Sequence, residues 1–320
     1  MSRVFITGDV HYPIDAFKLN DLNFPADDLT KDDYLIICGD AGFVWTGDRY
    51  DLKGIEWANS RPYTIIYVDG NHENHEALRL YPVVDFLGAK AHKISDSLYH
   101  ILRGEILTIN HQTYFCFGGA FSHDYMYRKE GQSWWQSELP TQTEIDHAID
   151  NLNKVNNQVD FIITHDVDEL TYKALGYSDN TMNIYDSKYR NIRTFFNYIK
   201  GNVEYACWFA GHYHITEYVN NIQIMYNEIL EVLEDTVVWY KGRMHEIRNT
   251  NYTIEDISKD EHINDLYISL RYNKIGLMDD FKTCNDTIYP LSEFLPVLDT
   301  NQEKEAVIYL YQDYLIRLNQ

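Results

Sequence analysis

Residues 209–215 read FAGHYHI: an apolar run, a glycine, then two histidines one residue apart. Imidazoles side by side are poor material for the middle of a buried strand, so this stretch reads as a strand's end. The same grammar recurs in VFITGDVH (4–11), YLIICGD (34–40), YTIIYVDGNHE (63–73), FIITHD (161–166) and YACWFAGHYH (205–214). Near-continuous apolar runs of this length predict strands buried on both faces, as in a sheet covered by helices. Between them lie segments with helical signals: LKGIEWANS (52–60), NHEALRLY (74–81) and TQTEIDHAIDNLNKV (141–155). The last begins with Thr141 and carries Glu144 three residues on, a capping-box pattern, and puts Ile145, Ala148, Ile149 and Leu152 on one face. Alternating strands and helices predict an α/β domain whose ligand site lies beyond the carboxyl ends of the strands, where every polar cluster falls.

The composition supplies a core and excludes some partners. Of the 320 residues, 45% are hydrophobic and 15% aromatic, which is ample for a sizeable interior. A formal net charge of −22 argues against long nucleic acid as a partner, because gripping a polyanion needs a dense field of Lys and Arg. A site rich in carboxylates and imidazoles would instead be neutralised by bound metal cations.

The N-terminus, MSRVFITGDVH, has no basic region leading into a long apolar core, and no later stretch has the length to cross a bilayer. A protein without a membrane partner is expected. Cys38, Cys116, Cys207 and Cys284 are far apart and three sit in apolar runs, the usage of buried thiols in a reducing compartment, which predicts a cytoplasmic location.

Residues 1–235 are expected to form the α/β domain. After about residue 225, EILEVLEDTVVWYKGRMHEI reads as further strand material with a hairpin around Lys241-Gly242. Residues 236–320 are acidic and tyrosine-rich, end in KEAVIYLYQDYLIRL and hold no ligand-like cluster, so a small, mainly helical extension is expected there.

Collected in order, the strand ends offer Asp9, His11, Asp40, Asn71, His72, His165, His212 and His214. A mixed nitrogen and oxygen set of this size is more than one metal ion needs and suits two. In a strand, residues i and i+2 share a side, so Asp9 with His11, and His212 with His214, are expected to address one site together. The preceding glycines let the backbone turn and leave room for a ligand. HENHE (72–76) is not a zinc-protease helix, since its histidines are three apart and HExxH needs four. His92, His100, His111, His147, His245 and His262 have no partner at ligand spacing and read as surface or packing residues.

Together, Asp9-x-His11, Gly39-Asp40, Gly70-Asn71-His72-Glu73, His165 and Gly211-His212-x-His214 resemble the calcineurin-like metallophosphoesterase superfamily over roughly residues 1–230. The resemblance implies a four-layer β-sandwich flanked by helices and a centre of two divalent ions, Mn, Fe, Zn or Ni, with Mn favoured. It implies one ion held by Asp9, His11 and His214, a second by Asn71, His165 and His212, and Asp40 bridging. His72 then stands as the general acid for the leaving oxygen. In the family's Ser/Thr protein phosphatases GD is followed by an Asp and an Arg, and GNHE is preceded by an Arg. Phe43 and Val44 occupy the first two of those places and no arginine precedes Gly70 here, which argues against a close protein-phosphatase relative.

A second stretch, FGGAFSHDYMYRKEGQSWWQSELP (117–140), resembles a GGAxS…R…SWW signature of uncharacterised bacterial and phage members. There Arg128 is expected to contact the substrate phosphate, with His123 nearby and Trp134 or Trp135 either stacking on a flat group or packing. The expected activity is hydrolysis of a phosphomonoester or phosphodiester, on a nucleotide or other small phosphorylated compound. The competing readings are a non-catalytic metal-binding scaffold of the same fold, and a nuclease, which would need a local basic groove that the sequence does not announce. Substrate, metal identity and oligomeric state are open at this level.

Overall fold

The apolar runs become strands buried along their length. β1 (Val4–Thr7), β2 (Tyr34–Ile37) and β3 (Thr64–Tyr67) pair in parallel. An antiparallel run β4 (Val83–Phe86), β5 (Ala89–Ser95) and β6 (Leu98–Ile101) follows, and then a hairpin of β7 (Glu105–Ile109) and β8 (Gln112–Phe117) in the other sheet. Then come β9 (Phe161–Thr164), β10 (Cys207–Ala210), β11 (Glu217–Val219), β12 (Ile222–Ile224) and β13 (Ile229–Leu233). The helices between them are α1 (Arg49–Ser60), α2 (His75–Leu78), α3 (Gln142–Lys154), α4 (Glu169–Ala174) and α5 (Asp186–Asn202).

This computed structural model describes residues 1–20, 23–24, 26–177, 186–233, 236–240, 244–245, 254–259, 263–269, 274–277, 288–297 and 311. The chain divides into two compact units, the first being Met1–Glu234 with Tyr240–Arg243. Within it one sheet runs β13-β1-β2-β3-β6-β5-β4 and the other β11-β12-β10-β9-β8-β7. On the second sheet, Phe115, Phe117, Ile162 and Trp208 pack against Ile145, Ala148 and Leu152 of α3 and against Phe195, Phe196 and Ile199 of α5. On the first, Phe5, Leu35, Ile37 and Ile65 pack against Leu19, Phe43 and Ala58. Side chains alternate along a strand, so Val4, Ile6, Ile36 and Ile66 on one sheet, and Tyr114, Cys116 and Ile163 on the other, face away from those clusters; they are buried as well, which makes the mixed α/β sandwich. Each such aliphatic side chain contributes about 1.5–3 kcal/mol by leaving water.

The start of α3 carries the expected capping box. The Glu144 amide donates to Thr141 Oγ1 at 3.3 Å, and the Thr141 amide donates to Glu144 Oε2 at 2.6 Å. Cys38, Cys116 and Cys207 are free thiols, and Cys284 lies outside the described residues. Among the described residues no helix is long and apolar enough to cross a membrane.

Strand direction is what positions the site. β1, β2 and β3 are parallel in one sheet and β8, β9 and β10 in the other. The loops that leave their carboxyl ends, starting near residues 8, 38, 68, 118, 165 and 211, carry every residue that the sequence nominates for chemistry.

The second unit is Asp235–Trp239 with Met244–Gln320. After β14 (Thr236–Tyr240) and β15 (Met244–His245), its described residues carry α6 (Ile254–Ser258), β16 (Leu266–Ser269), β17 (Lys274–Leu277), β18 (Ile288–Pro290) and α7 (Leu291–Phe294). β17-β16-β18 is an antiparallel sheet. Among the described residues of this unit short strands stand beside short helices; LYIS and KIGL are too short to display either a helical or a strand period. The turn at Lys241-Gly242 and the helical ending over 304–318, apart from Tyr311, lie outside the described residues.

Candidate metal centre

Asp9, His11, Asp40 and His214 converge at the shared strand edge, each offering a ligand atom within 4.8 Å of the others. His11 Nε2 lies 3.1 Å from Asp40 Oδ2, and His214 Nε2 lies 3.5 Å from Asp9 Oδ1. Strand alternation is not what joins them. β1 ends at Thr7 and β10 at Ala210, and beyond those ends Asp9, His11, Asp40, His212 and His214 take φ of 29°, 38°, 50°, 73° and 51°. A non-glycine residue in this left-handed region costs of order 1–3 kcal/mol and persists where its surroundings over-determine it. They do so here. The Val10 and His11 amides donate to the Asp40 carbonyl at 2.9 and 2.8 Å, and the His212 amide donates to the Asp9 carboxylate at 2.9 Å. His214 joins Asp9 and His11, whereas the His212 ring stands 5.0 Å from that of His165.

A second group adjoins the first through Asp40. His165 Nδ1 donates to the Cys38 carbonyl at 2.7 Å, which turns Nε2 toward Asn71 Oδ1 and Asp40 Oδ1, both 3.3 Å away. The imidazole of a metal ligand is commonly oriented by such a bond from its other nitrogen. Burial, with the charge of His165 beside it, pulls His212 down to about 4, leaving a neutral ring with a lone pair.

The donor set fits a pair of divalent cations. Carboxylate, imidazole and amide oxygen suit Mn, Fe and Zn alike. Burial works against an imidazolium at His11 and His165, yet the hydrogen bond and charge of Asp40, with Asp9 behind it, raise them to about 9 and about 10. Burial opposes ionisation of Asp40 too, but the charge of His165 and hydrogen bonds from both imidazoles hold it well below the usual carboxylate range. The pocket thus holds positive charge, and a metal ion competes with those protons. Space is reserved as well: a Cβ at residue 70 would lie 2.1 Å from Asp40 Oδ1 and 2.7 Å from His165 Nε2. Only glycine therefore fits at residue 70 on this backbone.

Loading the metal-free protein at pH 7 is expected to release about two protons per chain, from His11 and His165. Calorimetric titration in buffers of different ionisation enthalpy measures this number, and a value near zero would show both rings already neutral. Because both groups are raised above their ordinary 6.5, the stability they contribute to the metal-free fold is whole below that pH and is lost as the pH climbs through about 9 to 10.

His72 and Arg128 meet at the rim. The His72 amide donates to Asp40 Oδ1 at 2.7 Å, its ring stacks on Trp45 at 5.5 Å, and Arg128 Nη2 lies 3.0 Å from His72 Nε2. A guanidinium only donates, so Nε2 accepts and Nδ1 carries the proton. Burial lowers His72, and the Arg128 charge adds to that against the pull of Asp40. Arg128 is steadied by Asp124, 2.7 Å from its Nε. His123 is exposed, and among the described residues no bond ties it to the cluster. Trp134 and Trp135 are 8% and 2% exposed, so they pack and leave no face for a base.

Several supporting residues are given no role by the motifs. Glu73 accepts from the amides of Ala41 at 2.6 Å and Gly70 at 2.5 Å, tying the Asp40 loop to the Asn71 loop. Lys18, buried, donates to the Asp9 carbonyl at 3.0 Å and to the Gly8 and Tyr226 carbonyls. Asn71 Nδ2 donates to Ser122 Oγ at 3.2 Å, and Ser122 is held by the buried Glu138. Trp45 is visible in the sequence but has no spacing that marks it. Away from the centre, Asp69 bonds His75, His100 and Arg103 beside a cavity of about 390 Å³ whose lining contains none of the candidate ligands.

The comparisons bear on the fold and family. No curated protein matches the chain. Among solved structures, sulfate thiohydrolase SoxB of Thermus thermophilus in complex with glycerol is similar at 15% identity and a TM-score of 0.32, over 67% of this chain. The chain spans 37% of that protein's length. The profile described as calcineurin-like phosphoesterase matches residues 2–216, which contain all the candidate ligands gathered above. The chain belongs to the calcineurin-like phosphoesterase family.

Proposed function

We propose that this protein hydrolyses a phosphomonoester or phosphodiester in a nucleotide or other small phosphorylated compound, with two divalent cations and manganese the favoured ion. The convergence of Asp9, His11, Asp40 and His214 on one point carries this reading. Asp9, His11 and His214 would hold one cation and Asn71, His165 and His212 the other, with Asp40 shared. When bound, such ions attract the phosphoryl oxygens and make a nucleophile available from water near neutral pH.

The chain's own groups supply the rest. Arg128 reaches the rim as a donor fork suited to a phosphate oxygen, and on turning to it would release His72 Nε2. That nitrogen, a lone pair in this tautomer, would then be free to take up the proton that the attacking water loses and pass it to the leaving oxygen, with Trp45 holding the ring in place. The net charge of −22 favours a small anion carried in by the cations over a long polyanion.

The test is turnover of p-nitrophenyl phosphate, bis-p-nitrophenyl phosphate, mononucleotides, cyclic nucleotides and dinucleotides by manganese-loaded and chelated protein. Hydrolysis that requires the metal supports the proposal and ranks mono- against diesters. Metal binding with no turnover on any of these would favour the scaffold reading.

A further inference from the structure

Asparagine can hold a cation only through its oxygen, so the orientation of the Asn71 amide matters as much as its position. Its two ends are chemically opposite: Nδ2 donates and Oδ1 accepts. Oδ1 lies 3.3 Å from His165 Nε2 and Nδ2 lies 3.2 Å from Ser122 Oγ. Which end faces which neighbour follows from the hydrogen-bond network.

The network leads to Glu138. Ser122 donates its amide to Glu138 Oε1 and its hydroxyl to Glu138 Oε2, both at 2.8 Å. A hydroxyl has one proton. Once it is given to the carboxylate, Ser122 Oγ can only accept from Asn71, and the amide must present Nδ2 to it and Oδ1 to the metal side. Glu138 is 0% exposed and Ser122 1%, so no water is at hand to relax the choice. The backbone of Glu138 is pinned in turn: Arg103 Nη2 donates to its carbonyl at 2.9 Å, and Arg103 Nε donates to Asp69, two residues before Asn71, at 3.0 Å.

We propose that Glu138 is a positioning residue which, through the Ser122 hydroxyl, fixes the Asn71 amide with its oxygen toward the metal centre. This rests on the proposed role of Asn71 as a ligand. It also gives the SELP segment, far from the family's ligand motifs in sequence, a part in the site.

Glu138→Gln supplies the test. Its Oε1 keeps the bond from the Ser122 amide, its NH₂ then donates to Ser122 Oγ, and the hydroxyl proton turns to Asn71, which must rotate its NH₂ toward the metal. Manganese titration at pH 8, followed by calorimetry and metal analysis, is expected to show the first equivalent unchanged and the second weakened by about 10- to 100-fold. Adding Asn71→Asp to that variant should restore the second equivalent, since a carboxylate has an oxygen on either side; a merely structural role for Glu138 predicts no such rescue. Wild-type affinity for both ions in Glu138→Gln, or a loss that Asn71→Asp does not repair, would overturn the proposal. A neutron structure of the unaltered protein serves if the variant does not fold: a Ser122 proton pointing at Glu138 supports it, and one pointing at Asn71 overturns it. If the unaltered protein binds fewer than two ions, the metal-centre reading itself has failed.

Discussion

Replacing Asp40 by Asn is expected to lower metal-dependent hydrolysis by at least about 10³-fold in kcat/KM, the scale of losing a group that organises charge at the reacting centre. Asp40 is the residue common to both groups of ligands, with Oδ2 3.1 Å from His11 and Oδ1 3.3 Å from His165. It is 1% exposed, so its charge acts with little screening. Asparagine is the informative replacement because it tolerates the φ of 50° that the backbone takes there and keeps an oxygen for the His72 amide. What it removes is the negative charge. The same variant should therefore release close to no protons on loading, since His11 and His165 lose the carboxylate that raises them. Activity within tenfold of the parent, with circular dichroism unchanged, would take Asp40 out of the centre.

His72→Asn should separate substrates by their leaving groups. With an alkyl phosphate, whose departing oxygen needs a proton, kcat/KM is expected to fall by about 10²- to 10⁴-fold. With a p-nitrophenyl ester, whose leaving group departs as a stable anion, the fall should be small. The structure motivates the contrast, since His72 Nε2 is the ring atom at the rim, 3.0 Å from Arg128, while the backbone amide of the same residue bonds Asp40. A uniform loss across both substrate types would reassign His72 to orienting Arg128 or the substrate, and no loss on either would remove it from the reaction.

The legible part of this protein is local in kind. Val4–Thr7, Tyr34–Ile37, Thr64–Tyr67, Phe161–Thr164 and Cys207–Ala210 announce themselves as near-continuous apolar runs, because a strand covered on both faces has no polar side to interrupt it. The ligands announce themselves by standing just past those runs. The strands between Val83 and Phe117 are less visible, as several are partly exposed and alternate irregularly. The small sheet of the second unit is hidden for a different reason, its strands being too brief to express a period.

By itself, the order of residues determined which side chains could bind cations, that they would lie beyond strand ends, and which superfamily they resemble. Only the tertiary structure shows how the chain brings them there, through left-handed turns at Asp9, His11, Asp40, His212 and His214 that no spacing rule describes. It also decided that Trp135 is core, that Arg128 caps His72, and that Glu138 reaches Asn71 through Ser122. The physical reason is range. Burial and periodicity are written in neighbouring residues, whereas a hydrogen bond between loops fifty residues apart exists only once two sheets have brought their strand ends together.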